Sequence, residues 1–375
     1  MSWEKHIKSQ RMNLGLLAAG LCAGGAFGGD PLSLFGYDFA LVGDPGNRDT
    51  NDEEVPMYPD TRVGGVEYEF RLATTEVTVG QHLEFVIAYY PFYVKNTGSQ
   101  LGHTAFTDVA IRAAFGQIHI RPGHFEGQPT DMSWEYAARY INWLHHGKVV
   151  EDWAFETGVY DTSTFVQDDD GNWQHQAQRN LGARFWMPTK DEWMKAGYWD
   201  PNKNNGKGGY WIFQNSSDIE PYPGFPDEGG ERNAGDTDEF PLAVGSYPSV
   251  MSPWGMYDMS GGQSEYTETA SRLDRLQRRS LAGTGYFYEN YGDYDSRDII
   301  AFTSSITTFN SSDGLRVGAS GRFHPADLNA DGHVNYFDIS LFIRWFIDGD
   351  ERADFRLDGV FDLDDVRVFL GLMNN

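Results

Sequence analysis

"RFWMPTKDEW", residues 184–193, passes from strand to helix within one short run. Phe185, Trp186 and Met187 form an apolar strand-like stretch that meets Pro188. Proline suits the first turn of a helix because its missing N–H and fixed φ cost nothing there. Thr189, followed three residues later by Glu192, is a capping-box pair that opens a short helix, "DEWMKAGYW". On that helix Trp193 is placed to face a core. Strand and helix therefore adjoin in one compact segment of an α+β chain.

The same vocabulary recurs upstream. "VEYEFRLATTEVT" (66–78) alternates apolar and polar residues with β-branched enrichment, as strands do. Thr78 and Gln81 form a second capping box, opening the helix "QHLEFVIAYY". Ser133 stands where it would cap "WEYAARYINWLHHG", in which Trp134, Ala137, Ala138, Ile141 and Leu144 fall on one helical face and Gly147 is a stop. Residues 29–62 are rich in Asp, Gly and Pro and read as an extended lead-in, with one strand around Phe39 to Val42. Residues 150–180 and 200–240 are polar and turn-rich, and are expected to be long surface loops.

The 375 residues exceed one average domain, so two or three folding units are expected. Aromatics are 15% and glycines number 43, which favours a loop-rich α+β or β protein over a helical bundle. Lys and Arg total 29 against 55 Asp and Glu, a formal charge of −26. Such a chain repels nucleic-acid backbones and anionic membranes, so neither is expected as a partner. No apolar run reaches the roughly 18 residues of a membrane span. Lys5, Lys8 and Arg11 precede an apolar stretch from Leu14 to Phe27, with small residues at Ala26 and Gly28. This pattern predicts a signal peptide over 1–28 and a secreted or cell-surface protein. Cys22 is the only cysteine and lies inside that segment. The mature chain would then hold no disulfide, thiolate nucleophile or thiolate metal site.

Few catalytic patterns are present. No P-loop, G-x-S-x-G or H-E-x-x-H motif occurs. His119/His124 and His145/His146 are the close histidine pairs, and neighbours on a helix diverge by about 100°, a poor chelate. Asp168 to Asn172 ("DDDGN") reads as a solvated turn.

From Ala326 the texture becomes repetitive. "ADLNADGHVNYFDISLFIRWFIDGD" and, from Ala353, "ADFRLDGVFDLDDVRVFLGLMNN" repeat at an offset of 27. In the first, Asp327, Asn329 and Asp331 take loop positions 1, 3 and 5, with His333 (backbone), Asn335 and Asp338 at 7, 9 and 12. Hard oxygens at alternating positions suit calcium. The second offers Asp354, Asp358, Val360 (backbone), Asp362 and Asp365, but Arg356 stands at position 3, which weakens that site. Residues 326–375 thus resemble a type I dockerin, a small all-α module. The resemblance implies calcium-dependent folding and docking onto a cohesin-type partner.

Five separated motifs give a second resemblance. "YEFRLATTEVTVGQHLEF", "DMSWEYAARYINWL", "ARFWMPTKDEW", "LAVGSYPSVMSPWGMYDMSGGQSEY" and "SSDGLRVGAS" follow one another across residues 63–320. Together they resemble the formylglycine-generating enzyme, or sulfatase-modifying factor, family. That family implies an elaborated C-type-lectin-like α+β domain with little regular secondary structure. It also implies calcium ligands: the side chains of Asp258 and Glu265 with the carbonyls of Gly261 and Gln263, and a second site using Asn233, Asp236 and the carbonyl of Asp238. The family's oxidase needs two cysteines that hold copper, and the matching stretch "LAGTGYFYENYGD" (281–293) contains none. No copper is therefore expected. A related branch uses a three-histidine iron site on a helical domain, and no helical H-x3-H arrangement occurs, so no iron is expected either.

Tyr286, Tyr288, Tyr291 and Tyr294 fall where the family's groove would lie, and suit carbohydrate or peptide recognition. The sequence thus predicts an exported calcium-binding protein whose family domain binds a ligand without oxidase chemistry. The alternatives are an extracellular enzyme, glycan-active through an uncharacterised site in that groove, or a structural surface component.

Overall fold

The computed structural model describes residues 32–55, 60, 62–167, 173–176, 178–222, 224–232, 242–259, 261–270, 279–282, 313–320, 326–328, 334–350, 353, 355 and 360–373. Two short strands, β1 (Leu32–Leu34) and β2 (Tyr37–Val42), form a hairpin around Phe35 and Gly36, both at positive φ. β3 (Phe70–Ala73) pairs antiparallel with β2, matching Phe39 to Ala73 and Val42 to Phe70. Helix α1 (Val79–Thr97) and helix α2 (Trp134–His145) follow. The opening motif supplies β4 (Phe185–Trp186) and α3 (Lys190–Tyr198). β5 (Glu265–Ala270) and β6 (Arg279–Ala282) make a separate two-stranded sheet. β7 (Gly318–Ser320) enters the main sheet between β3 and β4. The five-stranded antiparallel order is β1-β2-β3-β7-β4.

The lead-in contributes to the sheet: β2, where a strand was expected around Phe39 to Val42, is internal, and Phe39 and Val42 are fully buried. The polar residues around them masked a pairing that only a distant strand, β3, completes.

Both capping boxes form. Gln81 N–H donates to Thr78 Oγ1 and Glu192 N–H to Thr189 Oγ1, and the Gln81 and Glu192 side chains accept from the N-cap amides in return. Ser133 sits at the α2 N-cap without a side-chain cap bond. α1 runs past the expected end and through Pro91 to Gly98, whose φ of 70° closes it with an N–H to the Val94 carbonyl. Between α1 and α2 lies an aromatic core. Phe85 meets Tyr140 edge-on at 5.4 Å, and Tyr93 stacks on Phe106 at 4.5 Å. The "loop" 150–180 proves to hold a short helix (Asp152–Glu156) and a hairpin (Val166–Gln167 with Trp173–Gln174).

The repeat folds around its own core. Helices α4 (Tyr336–Asp348) and α5 (Leu363–Met373) bring together Phe342 and Phe369, equivalent at the 27-residue offset, stacked at 4.3 Å with planes 11° apart. Ala326 and Ala353, also equivalent, are both fully buried. No helix among the described residues is long and apolar enough to cross a membrane.

Candidate functional site

All five sequence motifs meet at one buried junction. β7 and the residues before it supply Arg316, which has no exposed surface. Its Nε donates to Glu265 Oε1 at 2.9 Å, and its Nη2 lies 2.7 Å from the same oxygen. The remaining guanidinium protons go to the carbonyls of Ala73, Tyr257 and Asp258. Glu265, at the start of β5, also accepts from Trp193 Nε1 of α3 at 2.6 Å. Glu76, between β3 and α1, accepts from the Gln263 N–H at 2.7 Å. The second motif joins through the backbone: Met132 and Asp313 exchange N–H···O bonds of 3.0 and 3.2 Å.

The junction holds more carboxyl groups than cations. Glu76, Asp258 and Glu265 face one guanidinium. Burial, then Glu265 and Asp258, hold the Glu76 carboxyl well above the ordinary glutamate range. Burial also raises Asp258, against the opposing Gly245 N–H and Arg316. Burial alone would lower Arg316, but Glu265 and its neighbours outweigh it and the guanidinium stays charged. Glu76 Oε2 has no hydrogen-bond partner among the described residues. Gly262, at φ 61°, lies so close that a Cβ there would sit 2.3 Å from that oxygen. Only glycine allows the loop to close over Glu76.

Asp258, Gly261 and Gln263 lie in the segment that leads into β5, and Glu265 begins that strand. The structure adds Glu76 and Arg316, which the sequence reading did not single out. A charged residue between Leu315 and Val317 in an otherwise apolar stretch was the available signal, since a buried arginine requires a carboxylate. Among the described residues no three His, Cys, Asp or Glu side chains group so as to hold a metal ion by themselves.

In the tail, Asp327 is buried and Val360 is 54% exposed. Asn335 caps α4, its Oδ1 accepting from Phe337 N–H at 2.8 Å, while Asp338 Oδ2 accepts from Asn335 N–H at 2.7 Å. The second repeat copies this: Asp364 N–H donates to Asp362 Oδ1 at 2.8 Å and Asp362 N–H to Asp365 Oδ2 at 3.0 Å. Asp338 and Asp365 are fully buried. Asn329, Asp331, His333, Asp354, Asp358, Asn233, Asp236, Asp238, Tyr286, Tyr288, Tyr291 and Tyr294 lie outside the described residues.

His82, His145, His146 and His175 have packing roles. His82 is fully buried, with Nδ1 2.7 Å from Thr130 Oγ1 and Nε2 2.9 Å from the Phe106 carbonyl. His175 pairs with Glu135 at 2.9 Å, both buried. His145 and His146 set their rings edge to face at 4.9 Å rather than converging their nitrogens.

Comparison with known proteins bears on this geometry. The family model described as "Sulfatase-modifying factor enzyme 1-like domain" matches residues 40–319. Its start within β2 agrees with the early entry of that strand into the sheet. A solved structure of CarF is similar at 16% identity, over 76% of this chain and 99% of that one, with a TM-score of 0.38. No curated protein matches the chain.

Proposed function

The chain belongs to the sulfatase-modifying factor enzyme 1-like family, and from that premise we propose that it is an exported, calcium-binding member that binds a ligand instead of oxidising cysteine. The carrying observation is the cysteine inventory: Cys22 is the sole thiol in 375 residues and lies in the leader-like segment. Copper(I) chemistry of the family type needs a soft thiolate pair, and these residues do not fit it.

The donor chemistry supports calcium. Glu76, Asp258 and Glu265 gather around a single guanidinium, and Glu76 Oε2 is buried without a hydrogen-bond partner among the described residues. A hard divalent cation suits such an excess of oxygen donors. Asp258 and the carbonyls of Gly261 and Gln263 would hold it, with Glu265 joining by exchanging its bonds to Arg316 and Trp193. When bound, calcium would supply charge balance and fix the loop. In the tail, Asp327, Asn335 and Asp338 would hold a second ion together with Asn329, Asp331 and the His333 carbonyl. The matched caps at Asn335/Asp338 and Asp362/Asp365 support the reading of two equivalent loops, and with it a dockerin-like tail that docks on a cohesin-type module.

The test uses the full chain. Incubated with copper(I) and a cysteine-bearing sulfatase peptide, it should form no aldehyde, and formylglycine above background would defeat the proposal. Calcium calorimetry should show saturable binding, with one site lost in the Asp327→Ala/Asp331→Ala double variant. A flat titration of the parent would remove calcium from the reading.

A further inference from the structure

A cleft of about 470 Å³ opens between Tyr68–Glu69 and residues 178–183. Its floor is Arg179, whose guanidinium lies 4.3 Å over the Trp186 ring. Nη1 donates to Glu268 Oε2 at 2.8 Å, and Nη2 donates to Glu192 Oε1 at 2.8 Å and to Tyr68 Oη at 2.9 Å. Both terminal nitrogens thus already have acceptors, and two buried carboxylates outnumber one guanidinium. An anion would find no free fork there and a net repulsion.

The walls are rigid. Tyr68 is 44% exposed, yet its hydroxyl is tied down, donating to Glu192 Oε1 at 2.6 Å. Opposite it, Leu181 is completely exposed at the tip of a pinned turn. Asn180 N–H donates to the Val159 carbonyl, Asn180 Nδ2 to the Gly158 carbonyl, and Ala183 N–H to the Asn180 carbonyl. Gly182 turns the chain at φ 82°. Glu69 and Gln178, exposed planar polar side chains, line the same rim. The Tyr68 ring is thus anchored before any ligand arrives, with Leu181, Glu69 and Gln178 around it on the rim.

We infer that this cleft is a binding site for a neutral saccharide. The C–H face of a sugar ring would lie on Tyr68 and Leu181, where apolar contact needs no charge. Its hydroxyls would donate to Glu69 and exchange hydrogen bonds with Gln178, groups able to accept and donate in the ring plane. The inference rests on the binding-module reading and gives that module's ligand a class and a place.

The test titrates the full chain with a panel of neutral oligosaccharides (cello-, xylo-, manno- and chito-oligomers), and with spermine and an oligolysine peptide as cationic arms. At least one oligosaccharide should bind, and the Gln178→Ala/Leu181→Asp variant should weaken it at least tenfold with the melting temperature unchanged. Tyr68→Phe, which keeps the ring but frees its anchor, should weaken it less. Silence across the oligosaccharides, binding that survives the double variant, or binding of the cations alone would each overturn the inference. Saccharide binding in a chain that fails the calcium titration would uphold the cleft while removing calcium from the proposed function.

Discussion

Arg316 is the residue on which the domain closes, because it alone meets the carboxylate of Glu265 and three backbone carbonyls in a fully buried setting. Arg316→Met leaves Glu265 buried beside Glu76 and Asp258 without a counter-charge. The expected cost is about 3–5 kcal/mol in urea unfolding, enough to unfold a marginal domain. Trp193→Phe removes one hydrogen bond from the same carboxylate and should cost about 1–3 kcal/mol. If both variants unfold like the parent, the junction does not carry the fold. His82 governs a different behaviour. Burial, its largest influence, lowers the imidazole to about 4, against an ordinary value of 6.5. A base whose folded value is depressed contributes stability above its unfolded value and loses it as pH falls toward the folded one. Between pH 6.5 and 4 the loss should approach about 3 kcal/mol. Denaturation midpoints at pH 7 and 5 test this, with His82→Gln expected to flatten the dependence.

At the level of elements, what was legible in the sequence was local. Thr78–Gln81 and Thr189–Glu192 could be read as caps because each box is complete within four residues, and both form. Thr189→Ala should cost about 1 kcal/mol and Thr189→Ser almost nothing, measurable by chemical denaturation. Thr189 also lies beneath the Arg179 cleft, since Glu192 serves the cap with Oε2 and Arg179 with Oε1. The alanine variant should therefore also disturb Trp186 fluorescence. What was not legible was long-range. β2 could be read as a strand around Phe39 to Val42, but its place in the sheet depends on β3, about thirty residues away. Arg316 likewise has meaning only beside Glu265, and no spacing rule links positions so far apart. The repeat was legible because its two halves carry the same pattern in register, and Phe342 stacks on its equivalent Phe369.

On the scale of the whole molecule, the described residues form two hydrophobic cores, one spanning residues 37–319 and one spanning 326–369, with no described core residue shared. The family match ends at residue 319, before the second core begins. A chain ending at residue 325 should therefore keep the thermal midpoint of the first core. A drop of many degrees would show that the tail stabilises it directly.

The junction also sets a schedule for biosynthesis. Glu76, Trp193 and Glu265 are all translated before Arg316 leaves the ribosome, so the nascent chain carries the carboxylates for a long interval without their guanidinium. A stalled chain ending near residue 310 should remain protease-sensitive throughout, while one extended past residue 320 plus the exit tunnel should become resistant in a single step. The last strand of the central sheet, and the arginine just ahead of it, decide when the domain can close.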